Sequence, residues 1–272
     1  MTRAAVVWFD EEQCLDVACA GGKGASLAAM TAAGLSVPPG FVIPSWVLEE
    51  SVDGEALRAL ARAEDHEAAQ ALARGAQPPR AGIQAAYERL GGLVAVRSSA
   101  CAEDSEAASY AGQQETFLNV SGATEIVGHV VECWASFFSG RALFYRSRKG
   151  SLDDLRMAVV VQKMVEPDKS GVLFTADPVQ RRPDRMVVEA VFGLGEQVVS
   201  GNVTPDHYVL DRAGAVVRNH LVHGGVLEDE ELAQLAAIGR RLEEQFGLPQ
   251  DVEWAIAEGD VYLLQSRPVT TL

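Results

Sequence analysis

The chain of 272 residues is 48% hydrophobic and 22% charged, the balance of a globular protein with room for one large domain or two lobes. Its net charge of −15 argues against a nucleic-acid binder, which needs a basic face, but leaves room for a nucleotide site built from a few local cations. No apolar run approaches the ~20 residues of a membrane span, and MTRAAVVWFDEEQ turns acidic too early for a secretory signal, so the cytoplasm is the expected compartment.

Residues 22–33 are expected to form a helix opening on glycines, with Leu27 and Met30 on one face and Gly34 as its stop. SVPPGFVIP gives a turn into a short strand at 41–43. Residues 51–80 are rich in Ala, Glu and Arg, helical in propensity, and end at Gln77-Pro78-Pro79. A helix with Ile83, Tyr87 and Leu90 on one face precedes the strand LVAVR at 93–97. Glu115–Val120 is read as a further strand, and 124–148 as the strongest helix of the chain.

Apolar strands follow at 157–165, 171–175 and 186–191, then a hairpin around Asp211–Gly214. A helix over about 230–246 turns Leu232, Leu235, Leu242 and Phe246 inward. DVEWAI and VYLLQ close the chain as a hairpin. The expected connection is the three-residue loop Glu258-Gly259-Asp260, which pairs Ala257 with Val261 and sets Glu253 opposite Gln265. Helices and strands interleave early while strands cluster late, which predicts an α+β fold in two lobes, 1–161 and 162–272.

The candidate motifs are individually ambiguous. Gly21-Gly22-Lys23-Gly24 is not a Walker A loop, because Gly and not Ser or Thr follows the lysine. It reads as a helix-start turn or as an anion site at a helix N-terminus. Only four lysines occur, which makes one inside a glycine cluster more informative. Arg97-Ser98-Ser99 ends a strand either as solvated polar groups or as a phosphate contact. Gly112-Gln113-Gln114 resembles part of a loop over phosphates. Gly193-Leu194-Gly195-Glu196 lacks the third glycine of a dinucleotide fingerprint, since position 198 is Val. Glu253, Gln265 and Arg267 suit a magnesium ion and its phosphates, or equally an exposed polar sheet face. Cys14, Cys19, Cys101 and Cys133 lack zinc-site spacing and read as reduced, mostly buried thiols.

Taken together, the segments resemble the ATP-binding domain shared by phosphoenolpyruvate synthase, pyruvate phosphate dikinase and rifampicin phosphotransferase. The matching stretches run in order from GGKGASLAAMTAAGLSVPPGF and VAVRSSACAEDSEAASYAGQQETFLNV through CWASFFSGRALFYR and MAVVVQKMVEPDKSGVLFTADP. GLGEQVVSGNVTPDHYVL and DVEWAIAEGDVYLLQSRPVT complete them, so that nearly the whole chain is covered. The resemblance implies an ATP-grasp fold with the nucleotide in a cleft between two lobes. Lys23 and Arg97 would contact the triphosphate, with Gly112 and Thr116 in a loop over it, and Gln162 would read the adenine edge. Glu253 and Gln265 would ligate Mg2+, and Arg267 would neutralise phosphate charge. Lys23, Arg97 and Arg267 are thereby the implied catalytic residues.

Where family members carry a swivelling domain with a phosphorylatable histidine and an acceptor domain, this sequence shows neither. Cys101 stands where the family has Thr or Ser, and 50–80 and 211–228 look shorter than usual. The resemblance therefore implies a Mg-ATP-binding phosphotransferase component that passes a phosphoryl group to a histidine on a separate domain or chain, turning ATP into AMP. The alternatives are a stand-alone ATP-dependent kinase or ligase acting on a small molecule and a non-catalytic nucleotide-binding module. The expected partners are ATP, a separate phosphohistidine-domain protein and a small-molecule acceptor the sequence does not name. Neither nucleic acid nor membrane is expected among them.

Overall fold

The computed structural model describes residues 3–101, 115–149, 151–195 and 203–270. They form two compact units, one of residues 1–29 and 39–164, the other of 30–38 and 165–272. Against the expected division at 161/162, the changeover lies at 164/165, and the short segment 30–38 goes with the second unit. Ser36 O accepts a hydrogen bond from Leu263 N at 2.8 Å and Ala33 O one from Arg241 Nη2 at 3.2 Å, which ties that segment there.

The first unit is built on a five-stranded antiparallel sheet. Its strands are β1 (Val7–Trp8), β2 (Gly40–Ile43), β3 (Val94–Ala100), β4 (Thr116–Val120) and β5 (Met157–Lys163), in the order β1-β2-β5-β3-β4. Alternation decides its faces. Phe41, Ile43, Val94, Val96, Val159 and Val161 belong to the apolar core beneath the helices. Those helices are α2 (Trp46–Ser51), α3 (Gly54–Arg62), α4 (His66–Arg74), α5 (Arg80–Leu90) and α6 (Ala123–Ser136). The Ala-rich stretch at 51–80 thus becomes short helices, two of which open on aspartates. Asp53 accepts from Glu55 N and Ala56 N, and Asp65 from Ala68 N, satisfying backbone donors that a helix start leaves without partners.

α1 (Val17–Ala32) and α7 (Gly140–Lys149) complete the helices of this part of the chain. The single helix expected over 124–148 is broken into α6 and α7. The break has a local cause. Phe138 N and Ser139 N bond three residues back, to Ala135 O and Ser136 O, so the last turn tightens and stops. Ser139 Oγ then accepts from Ala142 N at 3.3 Å and caps the start of α7. Beyond the break the buried Arg146 guanidinium lies 3.9 Å from the Phe137 ring centroid and donates to the Phe137, Ser151, Leu152 and Asp154 carbonyls.

The second unit is a six-stranded antiparallel sheet of β6 (Lys169–Phe174), β7 (Arg185–Phe192), β8 (Asp206–Asp211), β9 (Val216–His220), β10 (Gln250–Ala257) and β11 (Asp260–Pro268). The order is β11-β10-β6-β7-β8-β9. α8 (Asp229–Phe246) packs on one face. A methyl group added at Gly239 would lie 3.2 Å from Leu173 Cδ2 and 3.6 Å from Met186 Cε. Leu232, Leu235 and Leu242 are buried there as the spacing predicts, whereas Phe246 is only half-buried. No helix among the described residues is long and apolar enough to cross a membrane.

The closing hairpin corrects the expected turn. Ala257 pairs with Asp260 and not Val261, so the connection is the two-residue turn Glu258-Gly259. Both residues have positive φ, 53° and 86°, the mirror-image turn that matches strand twist and favours glycine at its second position. A regular ladder from this turn would set Glu253 opposite Leu264. A bulge intervenes. Trp254 pairs with Leu263 and Glu253 with Gln265, leaving Leu264 as the additional residue on β11. The expected partnership of Glu253 with Gln265 is therefore present, produced by a bulge in the strand and not by a longer loop.

Candidate functional site

In the first unit the sheet face away from the helical core gathers the polar residues. Direct cross-strand partners share a face. The register pairs Arg97 with Thr116 on one side and Val160 on the other, and Gln162 with Ala95 and Gly40. Arg97, Thr116 and Gln162 therefore stand on one surface, although they lie on three strands. Arg97 and Gln162 are 8% and 3% exposed. Gln162 Nε2 is buried without a hydrogen-bond partner among the described residues. A buried donor left so costs about 1–3 kcal/mol, and an acceptor on a bound molecule would recover it.

α1 runs over this same face. A methyl at Gly24 would meet Val42 Cγ2 at 3.0 Å and Val160 Cγ2 at 3.7 Å. The helix is interrupted at Gly21, with φ 69° and ψ 174°, a conformation open essentially to glycine alone. Lys23 follows, 9% exposed, its Nζ donating to Ser98 O at 3.0 Å. The structure thus brings Lys23 to the end of β3, beside the strand residue Arg97, across a long stretch of sequence. Gly112 lies outside the described residues.

Around the turn the chain is fastened by other side chains. Ser45 N donates to Cys19 O at 2.9 Å and Ser45 Oγ to Ala18 O at 2.5 Å, and Cys101 Sγ lies 3.7 Å from the same Ala18 oxygen. Burial pushes the Cys14 and Cys19 thiols up, to about 12 and about 11. These thiols stay protonated at neutral pH. Burial also raises Cys101, against opposing hydrogen bonds from Ser45 and Gly21 and the nearby Arg156 charge.

The second unit presents its own polar row. Successive registers line up Gln265, Glu253, Val172, Glu189, His207 and His220 across the sheet on one face. Glu253 and Gln265 are adjacent, offering a carboxylate and an amide oxygen, the hard oxygen donors that suit Mg2+. Arg267 lies one step along β11, opposite Asp251, with Nε and Nη2 each 2.8 Å from Asp251 Oδ2. Asp251 is largely buried, its side chain 13% exposed against 46% for Arg267. Burial raises the Asp251 carboxyl, Arg267 pulls it back, and the Glu253 and Glu189 charges add to the rise.

Sequence reasoning missed Glu189, two strands from Glu253, with His207 Nδ1 at 3.6 Å from its Oε1. Its signal lies in the strand order, which a local pattern does not carry. Ser99 was read only as a hydroxyl near Arg97, and its bonds to the glycine turn come from the fold.

The family model described as pyruvate phosphate dikinase, AMP/ATP-binding domain, matches residues 17–224 and 212–272. The chain belongs to that family. It is 39% identical to a probable phosphoenolpyruvate synthase of Methanothermobacter thermautotrophicus, covering 98% of this chain and 46% of that protein. It is 40% identical to a probable phosphoenolpyruvate synthase of Archaeoglobus fulgidus, over 98% and 42%. A rifampicin phosphotransferase of a Streptomyces species is 40% identical, over 100% and 36%. The chain therefore spans less than half the length of these curated relatives. Among solved structures, a crystal structure of a Pyrococcus horikoshii protein aligns with a TM-score of 0.41 and 14% identity, over 95% of this chain and 94% of that one. As a dikinase-type AMP/ATP-binding domain, the chain has the α+β ATP-grasp architecture that the resemblance implied, here two antiparallel sheets.

Proposed function

We propose that this domain binds Mg-ATP and passes a phosphoryl group from it to a histidine on a separate swivelling domain or chain, with AMP as the nucleotide product. The observation that carries the reading is the sheet face of the first unit, where Lys23, Arg97, Thr116 and Gln162 converge from a helix and three strands. Lys23 and Arg97 hold the phosphates there by charge-assisted hydrogen bonds. The partnerless Gln162 Nε2 donates to an acceptor on the adenine edge. In the second unit Glu253 and Gln265 hold Mg2+, which shields phosphate charge, and Arg267 is aimed by Asp251 to neutralise the rest. The names of the relatives support phosphoryl transfer, and the family description supports the nucleotide.

The test is thermal unfolding of the 272-residue chain. Two oxygen ligands are too few to hold Mg2+ tightly, so the ion should arrive with the phosphates. Mg-ATP at about 100 times its dissociation constant is expected to stabilise the fold by about 2.7 kcal/mol, and magnesium alone to do little. An unchanged melting temperature at millimolar Mg-ATP rejects the site.

A further inference from the structure

The glycine turn that carries Lys23 does not hold its shape by glycine alone. Ser99, fully buried on β3, meets it with both functions of one hydroxyl. Its Oγ donates to Ala20 O at 2.8 Å and accepts from Gly24 N at 3.2 Å. The two partners flank Gly21-Gly22-Lys23, so a single atom bridges the start and end of the turn. The approach is close. A methyl at Gly21 would stand 2.2 Å from Ser99 O and 2.3 Å from Ser99 Oγ, well inside contact distance. The preceding carbonyl, Ser98 O, receives Lys23 Nζ. The end of β3 is thus a template against which the turn is pressed, and the ammonium is placed by the same strand.

We propose that Ser99 is a positioning residue for phosphate recognition, fixing the Ala20–Gly24 turn so that Lys23 meets the triphosphate. The inference rests on the nucleotide reading given above and deepens it. A hydroxyl is required because the turn presents one acceptor and one donor to the same point, and only Ser or Thr answers both from a side chain this short. The hydrogen bonds of the Ser99 hydroxyl go to the turn that carries Lys23, and the adenine edge is assigned above to Gln162, so loss of the hydroxyl should be felt by the phosphates.

Calorimetry and competition against a fluorescent ATP analogue, with Mg-ATP and adenosine as ligands, provide the test. Ser99→Ala is expected to lower Mg-ATP affinity about tenfold, the loss of roughly one to two such hydrogen bonds, with adenosine affinity held within about twofold. Ser99→Cys, close in size but a poor hydrogen-bonder, should do the same and carries the test if the alanine variant does not fold. Ser99→Thr should restore most of the Mg-ATP affinity. Wild-type affinity in the Ala or Cys variant overturns the proposal, as does an equal loss for ATP and adenosine, which marks a merely structural residue. Failure of the unaltered protein to bind Mg-ATP would instead reject the nucleotide reading itself.

Discussion

Asp206, buried on β8, shows how much one residue can fix. Its two carboxylate oxygens accept from the backbone N–H groups of Val222, His223, Gly225 and Val226 at 2.6–2.9 Å, folding the segment after β9 around a negative charge. Burial pushes its carboxyl up, but the four N–H donors outweigh that and hold it below the ordinary carboxylate range. A depressed folded-state value means that its stabilisation is present above the unfolded value near 4 and is lost as pH falls through the folded one. Asp206→Asn would turn an amide N–H toward donors that now meet oxygen. It is expected to destabilise the protein by about 1–3 kcal/mol at neutral pH. In urea unfolding series the gap from wild type should narrow below about pH 4, and a gap independent of pH would contradict this account. At the proposed nucleotide site, Lys23→Ala or Arg97→Ala should each weaken Mg-ATP binding by about 1.5–3 kcal/mol with the fold kept. Normal binding by calorimetry in either variant removes that residue from the site.

At the scale of the element, the glycine turn and the closing hairpin are the pieces on which the site depends. Gly21 is the break between the two halves of α1, and its φ of 69° with ψ of 174° suits almost nothing but glycine. Gly21→Ala is expected to cost about 1–3 kcal/mol in backbone strain, with further loss from the overlap onto Ser99. Lowered thermal stability together with loss of the Mg-ATP shift is the expected result, and a variant that melts and binds as wild type does would show that the turn adapts freely. The hairpin has a different logic. A tight two-residue turn alone would direct Gln265 to the side of Val252. The bulge at Leu264 resets the alternation, so that Gln265 joins Glu253 while Val252 and Trp254 remain buried opposite α8. Periodicity could locate both strands and the turn residues. It could not reveal the bulge, because an additional residue in a strand has no compositional mark of its own.

For the whole molecule, the chain spans 46% or less of the length of the first relatives it matches. With a phosphohistidine-domain protein supplied, the expected nucleotide product is AMP, followed by chromatographic separation of nucleotides after incubation with Mg-ATP. ADP formed on adding a small hydroxyl, amine or carboxylate compound alone would favour a direct kinase or ligase. The sequence by itself determined the α+β class, the strands and helices nearest the site, and the identity of Lys23, Arg97, Gln162, Glu253, Gln265 and Arg267 as candidates. The class and the elements are legible because alternation, helical spacing and turn glycines are local properties of the chain, whereas the roles of these residues are what the family resemblance implies. Only the tertiary structure decided that residues 30–38 belong with the second unit and that Ser99 clamps the Lys23 turn. It alone decided that Glu189 lies in the row of Glu253, and that a bulge and not the loop length brings Gln265 to its partner. The reason is physical. Each of these follows from which strands pair and in what register, and that choice is made by burial of whole sheet faces against helices, a sum over distant residues that no short stretch of sequence contains.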